Sequence, residues 1–172
     1  MDNALKEIVW NQFGASIDML ISTIKNCPDD YFETNTRFYY IAFHTTLFLD
    51  YYLTIPPSEF KPLLSCTLKP IEEIPKEAIG DMISDKIYAK QEVIDYLKNS
   101  REKCKNLIYS ITEKTANRRF YEGNDSNDMD YPIIEIILYN LRHTQHHTGQ
   151  LNLLLRQDFD THMKWSFRAS DN

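Results

Sequence analysis

The chain has 172 residues, of which 42% are apolar, 13% aromatic and 26% charged, and its formal net charge is −6. This length suffices for one substantial core, and the composition makes a folded chain rather than a disordered one the default reading. The acidic balance argues against nucleic acid or an anionic membrane as partner, and only 4 glycines argue against a turn-rich β-sandwich.

In chain order, the first predicted helix runs from about Asn3 to Lys25. Trp10, Phe13, Ile17, Leu20, Ile21 and Ile24 recur at three- and four-residue steps and form one apolar stripe. Pro28 disfavours helical dihedrals in the residue before it and marks a break over residues 26–30. A second helix is predicted from Thr36 to about Leu53. It is apolar nearly all the way round, which predicts a central position among other helices, with a buried strand as the alternative.

Pro56, Pro57, Pro62, Pro70 and Pro75 exclude long regular structure between helices two and three, and a crossover of that length suggests that it covers something. The third predicted helix, about Lys90 to Glu113, carries Val93, Tyr96, Leu97, Cys104, Leu107, Ile108 and Ile111 on one face. A polar loop then leads to Asp130 or Tyr131 as the cap of a fourth helix, with Pro132 in its first turn and an end near Gln157. Trp165 and Phe167 are expected to anchor the tail. The expected fold is all-α: one domain over residues 1–172, a four-helix bundle with a long Pro-rich crossover between helices two and three.

Cys27, Cys66 and Cys104 are odd in number and widely spaced, as suits a reducing compartment. The first residues lack the basic start and apolar run of a signal peptide, and no stretch approaches the ~20 apolar residues that span a bilayer. A cytoplasmic protein with no membrane partner is expected.

The chemistry concentrates on the fourth helix. With Asn140 at zero and 100° per residue, His143 falls at about −60°, His147 at about −20° and Gln150 at about −80°. These groups share a stripe with the core-type residues Ile136 and Leu154, while Glu135, Arg142 and Arg156 lie opposite. A column of polar side chains facing the interior is costly unless something satisfies it. Two histidines at i and i+4 have chelating geometry for Zn²⁺ or a similar ion. His44 is the obvious contributor from a facing helix, on a face shared with Tyr40, Phe48 and Tyr51.

His44, His143 and His147 would supply three neutral nitrogen ligands and leave a fourth position open, the pattern of catalytic rather than structural zinc. Hydrogen-bonded core histidines are the competing reading. Around them, Gln150 is a candidate to orient a ligand, as is His146 on the shoulder of the stripe. Asn140 reads equally as a structural or an orienting residue. Tyr40 and Tyr51 could bring a hydroxyl near the open position or be plain core. His162 has no partner in the pattern, and Gly149 falls on the outer face of its helix.

The run from Asn140 through His143, His147, Gly149 and Gln150 to Leu155-Arg156 resembles the last-helix signature of the DinB/YfiT-like superfamily. Gln12-Phe13-Gly14-Ala15 and Phe43-His44-Thr45 resemble the corresponding earlier parts, so the resemblance covers nearly the whole chain. It implies a four-helix bundle with a three-ligand metal site (His44, His143 and His147), usually holding Zn²⁺ or Ni²⁺, and often a homodimer. Characterised members of that superfamily include thiol-dependent isomerases and S-transferases. Thr148 stands where many relatives place Arg, so no anion contact is expected from that position.

Two functions are therefore expected. One is a metal-dependent thiol S-transferase or hydrolase-like enzyme acting on a low-molecular-weight thiol and a small electrophilic substrate, although the polar stripe offers no Asp, Glu or Cys as general base. The other is a non-catalytic metal-binding or stress-response protein in which the metal is structural.

Overall fold

The computed structural model describes residues 2–170, in which helices dominate and two small antiparallel sheets occupy the connections. Helix α1 spans Asn3–Asn26, α2 Asp29–Thr34, α3 Thr36–Tyr52, α4 Lys90–Ser110 and α5 Ile133–Phe159. Three of the long helices, α1, α3 and α4, begin where a side chain satisfies a free N–H group, whereas α5 starts after Pro132 with no side-chain cap. The Asp2 carboxylate accepts from Leu5 N at 2.7 Å, and the Asn35 amide oxygen accepts from Phe38 N at 2.9 Å. At α4 the Glu92 carboxylate reaches back to the Ala89 N–H at 2.8 Å.

Helix α1 packs against α4 and α5, and α3 packs against the same two helices. The apolar stripe predicted for the first helix is buried throughout, from Trp10 to Ile24. Helix α3 is central, as its all-round apolarity implies: Phe38, Tyr39, Ile41, Ala42, Phe43, Leu47 and Leu49 are all buried, and the strand alternative does not arise. Its threonines do not upset this burial, because Thr45 and Thr46 donate to the carbonyls of Ile41 and Ala42 one turn back.

Several expectations need correction. Strands β1 (Cys66–Leu68) and β2 (Met82–Ser84) pair antiparallel, with Thr67 opposite Ile83, in the segment between α3 and α4. Strands β3 (Arg119–Tyr121) and β4 (Asp130–Pro132) pair with Phe120 opposite Tyr131, so the fold is not purely helical. Asp130 lies in β4 and does not cap α5; its carboxylate accepts from Arg119, and Pro132 stands at the N-cap position. The break read over residues 26–30 is present but narrower, at Cys27 and Pro28; Asp29–Thr34 then form a short helix that buries Phe32.

The tail is held differently from the expectation. The Trp165 and Phe167 side chains are 63% and 81% exposed, and Phe167 is held through its backbone carbonyl, which accepts from Gln12 Nε2 at 3.5 Å. Instead Ala169 N donates to Asn11 O at 2.9 Å, and a Cβ on Gly14 would lie 2.5 Å from that of Ala169, so only glycine admits the tail there. Ser170 N and Oγ both donate to Asp18, whose carboxylate also receives Arg101 Nε at 2.7 Å. Burial raises the Asp18 pKa, but the Arg101 and Ser170 hydrogen bonds outweigh it and leave the pKa below the usual value.

Candidate metal centre

Asn140 sets how α5 lies against α3. Its fully buried amide donates to Leu49 O at 2.9 Å, while the Leu53 N–H turns to Asp50 O in the last turn of α3. Asn140 therefore satisfies a carbonyl at a helix end, a structural use of the polar stripe. With the helices so aligned, His44 of α3 meets His143 and His147 of α5. The ring centroids are 5.1 Å apart for His44–His143, 4.9 Å for His44–His147 and 4.5 Å for His143–His147.

One nitrogen from each ring lies within 4.8 Å of the others, and the Nε2 atoms of His44 and His143 are 3.1 Å apart. That separation is close to the roughly 3.3 Å edge of a tetrahedron with metal–nitrogen bonds of about 2.0 Å. His44 and His147 are buried and His143 is half-buried. Phe48 packs on His44 with ring centroids 4.6 Å apart and on His143 at 6.1 Å. Residues of the α3–α4 segment cover the outer edge of His44: Gly80, at φ 71°, is so close that a Cβ there would lie 3.8 Å from Cε1 and Nδ1.

Burial, followed by the neighbouring imidazoles His143 and His147, pushes the His44 pKa down to about 3. Burial, followed by His147 and His146, pushes His143 down to about 4. Burial also lowers His147, although its hydrogen bond to Gln150 opposes the shift. All three rings are therefore neutral near pH 7 and can present lone pairs.

Gln150 organises the next layer. Its Oε1 is 2.7 Å from His147 Nδ1, and its Nε2 is 3.2 Å from His146 Nε2. An amide oxygen can only accept and an amide nitrogen can only donate, so His147 carries its proton on Nδ1 and turns the Nε2 lone pair to the cluster. His146 is exposed and belongs to this chain of contacts through its acceptor nitrogen.

Tyr51 and Tyr40 do not meet the histidines. The Tyr51 hydroxyl donates to Glu122 Oε1 at 2.6 Å, and the half-buried Tyr40 packs its ring on Tyr39. His162 is exposed in the tail. Sequence reasoning missed Tyr139, which stacks at 12° on the His143 ring with centroids 6.4 Å apart. The available signal was its position one helical turn before His143 on the shoulder of the stripe.

The donor set fits a divalent cation. The Nδ1 atoms of His44 and His143 are buried with no hydrogen-bond partner among the described residues. The Ile79 backbone favours the charged form of His44, yet no hydrogen bond of ordinary geometry reaches Nδ1. An ion held at the Nε2 atoms would not reach these Nδ1 atoms; the fit rests on the three neutral rings that converge there, where His44 and His143 otherwise meet through a single N–H···N hydrogen bond at 3.1 Å.

A family model described as the DinB family matches residues 81–163. That match supports membership of the DinB-like superfamily. The matched span includes His143, His147 and Gln150 of α5, whereas His44 lies before it. No curated protein and no solved structure matches the chain. Among the described residues, no helix is long and apolar enough to cross a membrane.

Proposed function

We propose that residues 1–172 form one DinB-like four-helix-bundle domain that holds a divalent metal ion with His44, His143 and His147. The domain would act as a metal-dependent thiol S-transferase or a related hydrolase. The observation that supports this reading is the convergence of three neutral imidazoles, from two helices, with no carboxylate or thiolate among them. Three protein nitrogens leave one coordination position for an exogenous ligand, the composition of catalytic zinc sites. A bound Zn²⁺ or Ni²⁺ would supply Lewis acidity and lower the pKa of a thiol or water toward ~7.

The residues around the triad would orient and shield it. Gln150 holds the His147 tautomer, Phe48 excludes water from two of the rings, and the Gly80 segment closes the His44 side. His143 is the least buried of the three, so substrate would approach from its side. The chain's own thiols are poor nucleophiles: burial raises the pKa of Cys27, Cys66 and Cys104. The sulfur nucleophile would therefore come from a small thiol. A cytoplasmic setting and a homodimer are part of the same proposal, the first motivated by three free cysteines.

The test is turnover of 1-chloro-2,4-dinitrobenzene by the zinc-loaded protein with cysteine, glutathione or 3-mercaptopropionate. The thiol sulfur would form the new C–S bond, chloride would leave, and the thiol proton would pass to solvent. Turnover that disappears in His143→Ala is expected; no turnover across the thiol panel would contradict the enzymatic reading.

A second reading is favoured by the burial of His44 and His147 between α3 and α5. Here the metal mainly ties the two helices together, in a stress-response or other binding protein without catalysis. A sharp fall in melting temperature on chelation, without any thiol binding, is the outcome this reading requires.

A further inference from the structure

Beside the triad, a cleft of about 270 Å³ is lined by Tyr139, Arg142, His143 and His146. Its wall is a ladder of stacked groups. The Arg142 guanidinium lies 5.9 Å from the Tyr139 ring centroid, and Tyr139 in turn stacks nearly parallel on His143. An arginine seated on an aromatic face loses less freedom when it binds a planar anion than one swinging freely in solvent.

Arg142 also lacks an acidic partner. Arg37, Arg101 and Arg119 pair with Glu77, Asp18 and Asp130, but no carboxylate among the described residues pairs with Arg142. Helix α5 carries no Asp or Glu from Ile136 to Gln157, in a chain with 25 acidic residues. The cleft therefore carries one cation, Arg142, and no carboxylate in its lining, directly beside the most accessible of the three histidines; an acidic group, Glu122, stands behind Tyr52. His146 adds a second donor, since its Nε2 accepts from Gln150 and its proton must sit on Nδ1.

We infer that this cleft receives the carboxylate of an anionic low-molecular-weight thiol, paired with the Arg142 guanidinium while the sulfur faces the histidine triad. The inference rests on the thiol-binding reading above and adds to it the charge of the thiol and the residue that selects it. Arg142 acts here as a specificity-determining residue, outside the metal ligands.

The test is calorimetric titration of the zinc-loaded full chain with 3-mercaptopropionate and, separately, with the uncharged 2-mercaptoethanol. The wild type is expected to prefer 3-mercaptopropionate by roughly two- to fivefold, the range of an exposed ion pair. Arg142→Gln should abolish that preference without changing the affinity for 2-mercaptoethanol. Arg142→Lys should restore part of it, and Arg156→Gln, on an exposed position of the same helix, should leave it intact. Equal affinity of the wild type for the two thiols, or a preference that survives in Arg142→Gln, overturns the inference while thiol binding itself stands. Failure of both thiols to bind the wild type overturns the thiol-binding reading and this inference with it.

Discussion

The Nε2 atoms of His44 and His143 stand 3.1 Å apart although their residues are 99 positions apart in the chain. One ring comes from the most apolar helix of the fold and the other from a helix face that also carries His147 and Gln150. Neither nitrogen is there for want of an alternative, since apolar side chains would fill the same space at lower cost. The contact gathers neutral imidazoles in a largely buried region.

The metal-free protein should be acid-labile. His44 and His143 have folded-state pKa values of about 3 and about 4, below the ordinary value of 6.5. Between those limits the unfolded chain binds more protons than the folded one, so stability rises with pH and is lost as pH falls from 6.5 toward 4. The melting temperature of the chelator-treated protein should drop on the order of 5–10 °C between pH 7 and pH 5. Thermal melts of His44→Phe over the same range should show a shallower slope; an unchanged slope would contradict the assignment to buried neutral rings.

Gln150 should matter to metal affinity out of proportion to its exposure. Replacing it by Leu removes the acceptor that keeps the His147 proton on Nδ1. Loss of such an outer partner weakens binding by about 10- to 100-fold. Competition against a chromophoric zinc chelator measures this directly, and Gln150→Glu, which keeps the acceptor, should lose less.

Asn140 should behave as a stability residue. Asn140→Leu leaves the Leu49 carbonyl buried without its side-chain donor, at a cost of about 1–3 kcal/mol. Urea unfolding should show that loss. Retention of one metal equivalent at neutral pH would separate this role from a role in the site.

The Asp18–Arg101 pair should control the tail. The Arg101 side chain is 7% exposed and that of Asp18 17%, and together they hold Ser170. Removing one partner of a largely buried pair costs about 3–5 kcal/mol, so Arg101→Met should destabilise the fold and expose the tail to proteolysis. Limited digestion followed by mass spectrometry would detect cleavage after Lys164 or Arg168 before the rest of the chain is attacked.

The legibility of this architecture in the sequence varied with the range of the interactions. The long helices were readable because their apolar periodicity is local, and the angular placement of His143, His147 and Gln150 followed from the same periodicity. The partnership with His44 needed the alignment of α3 against α5, which depends on Asn140 and Leu49 and leaves no local trace in either segment. The three-residue strands escaped notice because they lie in Pro-rich and Asn/Asp-rich connections and are too short to show alternation. Large aromatic residues in the tail suggest anchoring, whereas the anchor is a glycine notch and a carboxylate on α1. Gly14 inside a helix was the available clue.

The measurement closest to the central claim is elemental analysis of the purified full-length protein beside His44→Ala and His147→Ala. A single equivalent of divalent metal in the wild type, lost from both variants while their helical circular dichroism is retained, is the predicted result. Metal retained at full stoichiometry in either variant would contradict the histidine triad as the metal centre.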